Sequence, residues 1–316
     1  MRIIQNLPIT HLMPLREVEE KRPVALVTST PAWKAVERIL HLPMAWQTEV
    51  IEATTENWDD ISKGFEGEVV YSVGGGLTAD AAKYFAAKHD LPLVVIPTAL
   101  SVDAFITAAS GIRRDGCVYY IETKPPEDLI LDLDVIAAAP EAIRAAGISD
   151  VMSIATGSWD WKFADSCSKN PPGMEFIPWV YENAQVILEA VLDCAEAAGR
   201  RDREGLKTLF DCLAMEVQLC NQVGHSRPEE GTEHYFAYCA ENHLGHGLPH
   251  GDLVGPGIIN AARWQGQDTV KIESALKACH IPLDRIPSET VERVRLELPA
   301  YCTHHNLPFA IAHTQI

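Results

Sequence analysis

Five of the chain's 12 histidines, His225, His234, His243, His246 and His250, crowd into one stretch. Neutral imidazole is a common ligand of transition metals, so a cluster this dense reads as metal chemistry more than as scattered structural histidines. The spacing does not choose among the five. His246 and His250 are four apart, but Pro249 and the flanking glycines argue against one helix presenting both on one face. A second group begins at Val73-Gly74-Gly75-Gly76, between an apolar run and a helical pattern. Such a turn lets the backbone approach a phosphate, and the helix after it offers unpaired N–H groups and a positive dipole end. The spacing is neither G-x-G-x-x-G nor a P-loop, and a plain tight turn uses glycine in the same way. The turn is followed by Asp80 and Lys83, three apart as in a simple helical ion pair, and then by Thr98, Ser101 and Asp103. Asp103 also fits an Asx-turn. Asp150 precedes a helical pattern, where an N-cap would use it equally well. Arg227 is either a cation for an anionic substrate or an ordinary loop arginine.

The elements that would position these residues change in character along the chain. Apolar runs at Val24–Thr28, Trp46–Ile51, Glu68–Val73 and Leu93–Pro97 read as strands, and Val118–Ile121 and Leu129–Leu133 as further ones after a turn at Asp115-Gly116. Helical patterns at Ala32–Leu40 and Thr78–Lys88 separate them. Strands alternating with helices predict a parallel, doubly wound sheet. Beyond Ala137 the patterns are helical: Glu141–Ala146, Asp150–Phe163, Val180–Ala198, Gly205–Val223, Glu233–Glu241, Leu253–Trp264, Asp268–Ala278 and Glu289–Leu298. An α/β domain over residues 1–142 and an all-α domain over residues 143–316 are expected, in keeping with a length of 316 residues.

Composition narrows the partners. With 26 Lys+Arg against 44 Asp+Glu the net charge is −18, which opposes nucleic-acid binding and a polybasic membrane surface. It leaves room for a small anionic substrate held by a few placed donors. No apolar run approaches the ~20 residues of a membrane span, and the N-terminus lacks the basic and apolar regions of a signal peptide. The eight cysteines form no C-x-x-C pair and read as reduced thiols.

In the stretch "GGGLTADAAKYFAAKHDLPLVVIPTALSVDAF" the chain resembles the superfamily of glycerol dehydrogenases, iron-type alcohol dehydrogenases, glycerol-1-phosphate dehydrogenases and dehydroquinate synthases. The resemblance is closest to the sn-glycerol-1-phosphate dehydrogenases. It continues in "AAGISDVMSIATGSWDWKFA", "HSRPEEGTEHYFAY" and "LPHGDLVGPG", in collinear order over residues 69–259. It implies a dehydroquinate synthase-like fold, a Rossmann-like NAD(P)-binding domain followed by a helical metal- and substrate-binding domain. Gly74, Gly75, Gly76, Asp80, Thr98 and Ser101 would bind NAD or NADP, and Asp150, His234 and His250 one divalent metal, zinc foremost, with nickel or iron as alternatives. The same three and Asp103 would form the catalytic group; His246 is a candidate proton relay by its nearness in the sequence alone. A cytoplasmic homo-oligomer is expected, interconverting a small polyol and its ketone, foremost sn-glycerol-1-phosphate and dihydroxyacetone phosphate. An unphosphorylated polyol dehydrogenase, a dehydroquinate synthase-like cyclase and a dinucleotide-binding protein without catalysis are the competing readings. Two positions depart from the family: Glu229-Glu230 replace small residues, and Tyr238 replaces a second histidine four residues after His234. The first strand ends in Val27-Thr28-Ser29 without the carboxylate that favours the ribose of NAD, so NADP stays open.

Overall fold

The computed structural model describes residues 6–245 and 247–314, and the chain divides into two compact units, Gln5–Pro140 and Glu141–Ile316. In the first, strands β1 (Ile9–Leu12), β2 (Val24–Thr28), β3 (Met44–Glu49), β4 (Val69–Gly74), β5 (Leu93–Pro97) and β8 (Asp128–Leu131) form one sheet in the order β1-β8-β5-β4-β2-β3. Every pairing in it is parallel. Helices α1 (Thr30–Val36), α2 (Thr55–Ile61) and α3 (Gly76–His89) make the crossovers, and α4 (Leu133–Ala138) follows β8. Strands β2, β4 and β5 are buried at every residue. That is why they read as unbroken apolar runs and not as alternating ones. Leu26, Val73 and Ile96 from these strands pack with Val36 and Leu40 in one core.

From β2 the chain moves outward to β3, then returns to the other side of β2 for β4 and β5. The winding reverses between β2 and β4, and ligands of such sheets bind beyond the carboxyl ends of the strands at that point. The glycine turn closes β4 there.

The strand at 118–121 departs from the expected sheet. It lies in β7 (Cys117–Glu122), which pairs antiparallel with β6 (Ala109–Arg114) in a separate two-stranded ribbon. Asp115 and Gly116 both take left-handed backbone angles, with φ of 52° and 70°, the geometry of the tight hairpin turn that Asp-Gly favours. β1, α2 and β6 were not legible as elements; β1 has four residues, all exposed, and β6 carries a glycine and two arginines.

The second unit is helical: α5 (Glu141–Arg144), α6 (Ile148–Met152), α7 (Ile154–Ser166), α8 (Pro178–Gly199), α9 (Arg203–Val223), α10 (Thr232–Leu244), α11 (His250–Trp264), α12 (Val270–Ala278) and α13 (Ser288–His304). The single helix expected over 150–163 is two, broken at Ser153. The Ser153 hydroxyl donates back to the Ser149 carbonyl at 2.8 Å, a bond that bends helices. All eight cysteines are free thiols. No described helix is long and apolar enough to cross a membrane.

Candidate metal centre

Asp150, His234 and His250 sit in the first turns of α6, α10 and α11. One ligand atom from each lies within 4.8 Å of the others. His250 Nε2 is 3.0 Å from Asp150 Oδ1, and the two imidazole centroids are 5.4 Å apart. Ligands on a tetrahedral zinc, with bonds of ~2.0–2.1 Å, stand about 3.3 Å from each other. The spacing and the donor set, one carboxylate and two imidazoles, therefore fit a divalent ion with coordination positions to spare. Asp150 is inside α6 and not at its cap; Gly147 holds the cap position.

Close backbone approach assembles the three ligands. A Cβ on Gly257 would come within 2.4 Å of the Glu233 carbonyl, so α11 presses on the backbone of α10 one residue before His234. At the other end of α11, Gly251 leaves room for the Ala146 carbonyl and the Ser149 hydroxyl, next to Asp150. Pro249 precedes the first turn of α11 with extended backbone, which makes His250 the first helical residue. The start of α10 is held from α7: Asp160 accepts the Thr232 N–H at 2.8 Å and, through its other oxygen, the Ile311 N–H at 2.9 Å. Burial, with the charge of Glu233, pushes the Asp160 carboxyl up to about 6.

Behind His234 stands Glu233, fully buried. Its carboxylate accepts from the Thr156 hydroxyl at 2.7 Å, from the Gly231 N–H at 2.6 Å and from His234 Nδ1 at 2.9 Å. A proton on Nδ1 leaves Nε2 as the free lone pair, the arrangement carboxylates impose on metal-bound imidazoles. Burial alone would discharge His234, but the hydrogen bond and charge of Glu233, with the charges of Glu230 and Asp150, raise its pKa to about 9. The surroundings are thus set for positive charge. Glu233 was not singled out in the sequence. Its adjacency to His234 is visible there, but its bonds to Thr156 and Gly231 are not.

The remaining histidines divide. His225 packs edge-on against Trp161 and accepts the Arg227 N–H. His243 pairs with Glu297 of α13 at 2.9 Å. His246 lies outside the described residues. Arg227 is 2 % exposed and donates to the Phe309 carbonyl at 2.9 Å and to Tyr235, which places its guanidinium in packing. The two departures noted in the sequence are bonded to each other: the Tyr238 hydroxyl donates to Glu230 at 2.8 Å, and Ser226 donates to the same carboxylate.

The residues expected at the dinucleotide gather in the other unit. Gly74 ends β4, Gly75 caps α3 and Gly76 opens it. The Thr98 N–H donates to the Gly74 carbonyl at 3.1 Å, and Ser101 and the half-buried Asp103 follow on the same segment. Asp80 turns its carboxylate to Lys83 Nζ at 2.8 Å and to the Gly111 N–H.

Residues 5–140 match the family described as iron-containing alcohol dehydrogenase. The glycerol-1-phosphate dehydrogenase (NAD(P)+) of Saccharolobus islandicus is 27% identical over 269 residues, 83% of this chain and 76% of that protein. A probable glycerol dehydrogenase from Sinorhizobium meliloti superposes with a TM-score of 0.66 at 18% identity, over 92% of this chain and 85% of its own. The glycerol dehydrogenase of Schizosaccharomyces pombe superposes at 0.65 with 20% identity, over 92% and 78%. The nucleotide-side unit thus matches the iron-containing alcohol dehydrogenase family, and the chain as a whole shares its fold with these glycerol dehydrogenases.

Proposed function

We propose that the protein is an NAD(P)-linked, metal-dependent oxidoreductase that interconverts sn-glycerol-1-phosphate and dihydroxyacetone phosphate. The observation that carries this reading is the convergence of Asp150, His234 and His250 within 4.8 Å in a chain related to glycerol-1-phosphate dehydrogenases. A divalent metal, zinc foremost, would supply Lewis acidity at the reacting oxygen of the substrate. Asp150, His234 and His250 would hold it, and Glu233 keeps the His234 ring turned with Nε2 outward. The N–H groups that open α3, bared by Gly74, Gly75 and Gly76, would take the pyrophosphate of NAD or NADP. Thr98 and Ser101 would border the same cofactor, and Asp103 the substrate. Nucleotide binding is assigned to residues 1–142, metal and substrate binding to residues 143–316, and the working form to a cytoplasmic homo-oligomer.

One observation favours a second reading, a polyol dehydrogenase without a phosphate handle. Glu230 is anchored by Tyr238 and Ser226, and its charge is felt at His234. A carboxylate so placed repels a substrate phosphate. Steady-state turnover of the zinc-loaded protein separates the two, with NADH or NADPH for the two ketones and NAD+ or NADP+ for glycerol. Higher kcat/KM for dihydroxyacetone phosphate than for dihydroxyacetone or glycerol supports the first, and the reverse order supports the second. No turnover with any of the three in zinc-loaded wild-type protein overturns both, and His250→Ala should lose zinc and turnover together.

A further inference from the structure

The ammonium of Lys83 is completely buried in the middle of α3. Taking a charge out of water is costly unless partners replace the water, and Lys83 has four. Asp80 Oδ1 lies at 2.8 Å, the Ala104 carbonyl at 2.9 Å and the Thr107 hydroxyl at 3.0 Å, with the Ala109 carbonyl the fourth. Only Asp80 belongs to α3. Ala104 and Thr107 come from the end of the irregular segment that runs from β5 to β6, and Ala109 opens β6.

The same segment lies against the glycine turn at its other end. A Cβ on Gly76 would come within 2.6 Å of Val102 Cγ2 and 3.5 Å of Ala104 Cβ, and one on Gly75 within 3.1 Å of Ser101 Oγ. The Thr98 N–H is bonded to the Gly74 carbonyl. Residue 104 thus lines the space beside Gly76 with its side chain and bonds Lys83 with its carbonyl. Asp80 extends the brace to β6, where the Ser110 hydroxyl donates to its carbonyl at 2.8 Å. An apolar side chain of similar length would fill this volume but could not tie down two carbonyls and a hydroxyl.

We propose that Lys83 is a positioning residue for dinucleotide binding: it straps residues 98–108 onto α3 and so holds Ser101–Ala104 against the glycine turn. The proposal rests on the reading of that turn as the dinucleotide site. It makes Asp80 and Lys83 a brace behind the site and not contacts of the cofactor.

The test compares the full-length protein with Lys83→Met and Thr107→Val. Three quantities are measured: amide hydrogen exchange, the Kd for NADH by fluorescence and the Kd for zinc by calorimetry. In Lys83→Met, exchange across 98–108 should rise at least about tenfold while β4 and β5 keep their protection, and NADH binding should weaken by about tenfold, as for loss of hydrogen bonds to a charged group. The zinc Kd should stay at the wild-type value. A folded Lys83→Met with wild-type exchange and NADH affinity overturns the proposal, and so does a rise in exchange spread evenly over the whole unit. If Lys83→Met does not fold, Thr107→Val, which keeps the buried ion pair, decides: about threefold changes in the same two quantities support the strap, and wild-type values overturn it. A wild-type protein that binds no dinucleotide refutes the reading of the turn, and the exchange data then still judge the strap.

Discussion

A single carboxylate ties α7 and the start of α10 to one imidazole. Glu233 takes a hydroxyl from α7, an amide from the start of α10 and the Nδ1 proton of His234. Removing its charge while keeping its shape should loosen the ligand without unfolding the unit. Glu233→Gln is expected to weaken zinc binding by about 10–100-fold, the usual effect of losing such an outer partner. Calorimetric titration with zinc, alongside far-ultraviolet circular dichroism to confirm retained helix, measures this. An unchanged Kd would strip Glu233 of the role. Imidazole chemistry was legible at this scale, because His234 and His250 are rich in ligand character wherever they sit. Which histidines meet did not follow from their spacing, because His225 and His243 carry the same ring and go to Trp161 and Glu297; the family resemblance pointed to His234 and His250.

At the scale of elements, the centre depends on helix ends more than on helix faces. All three ligands occupy first turns, and α11 can reach α10 only because residue 257 has no side chain. Gly257→Ala puts a methyl group 2.4 Å from the Glu233 carbonyl, closer than backbone can accept. The helices must separate, at a cost of about 1–3 kcal/mol, seen as a fall of several degrees in Tm. Zinc affinity should fall in the same variant, because the shifted backbone carries Glu233 and, next to it, His234. A lower Tm with wild-type zinc affinity would mean that the α10–α11 contact is structural only. Helix periodicity located α8 and α9 nearly to their ends. It could not foresee the break at Ser153, which depends on a hydroxyl choosing a carbonyl four residues back.

Across the whole molecule, with 44 Asp+Glu against 26 Lys+Arg, carboxylates outnumber the cations that could fasten them. Glu20 is one of the fastened ones. The Arg22 side chain binds it through two nitrogens, at 2.7 and 3.0 Å, the backbone amides of Lys21 and Arg22 add two bonds, and Tyr71 of the central strand β4 adds a fifth. The Arg22 hydrogen bond leads in holding its pKa down at about 2, against the opposing effect of burial. A carboxylate depressed on folding stabilises the protein above its ordinary value of 4.5 and loses that contribution as the pH falls toward 2. Urea unfolding of wild type and Glu20→Gln at pH 7, 5 and 3 should therefore show a gap that is full at pH 7 and shrinks at pH 3. A gap independent of pH would mean that Glu20 contributes by packing alone.

The order of strands and helices, the buried character of β2, β4 and β5, the glycine turn and the ligand types are properties of local composition and period, and the sequence by itself determined them. The tertiary structure decided what lies far apart along the chain. It set the ribbon of β6 and β7 apart from the main sheet, carried Arg227 to the Phe309 carbonyl 82 residues away, and brought Thr156 to Glu233 across 77. Among the described histidines, it brought His234 and His250 to Asp150. Periodicity reports which face of an element is buried, and nothing in it says what buries that face. The bonds that orient His234 and hold Lys83 exist only once separate elements have packed.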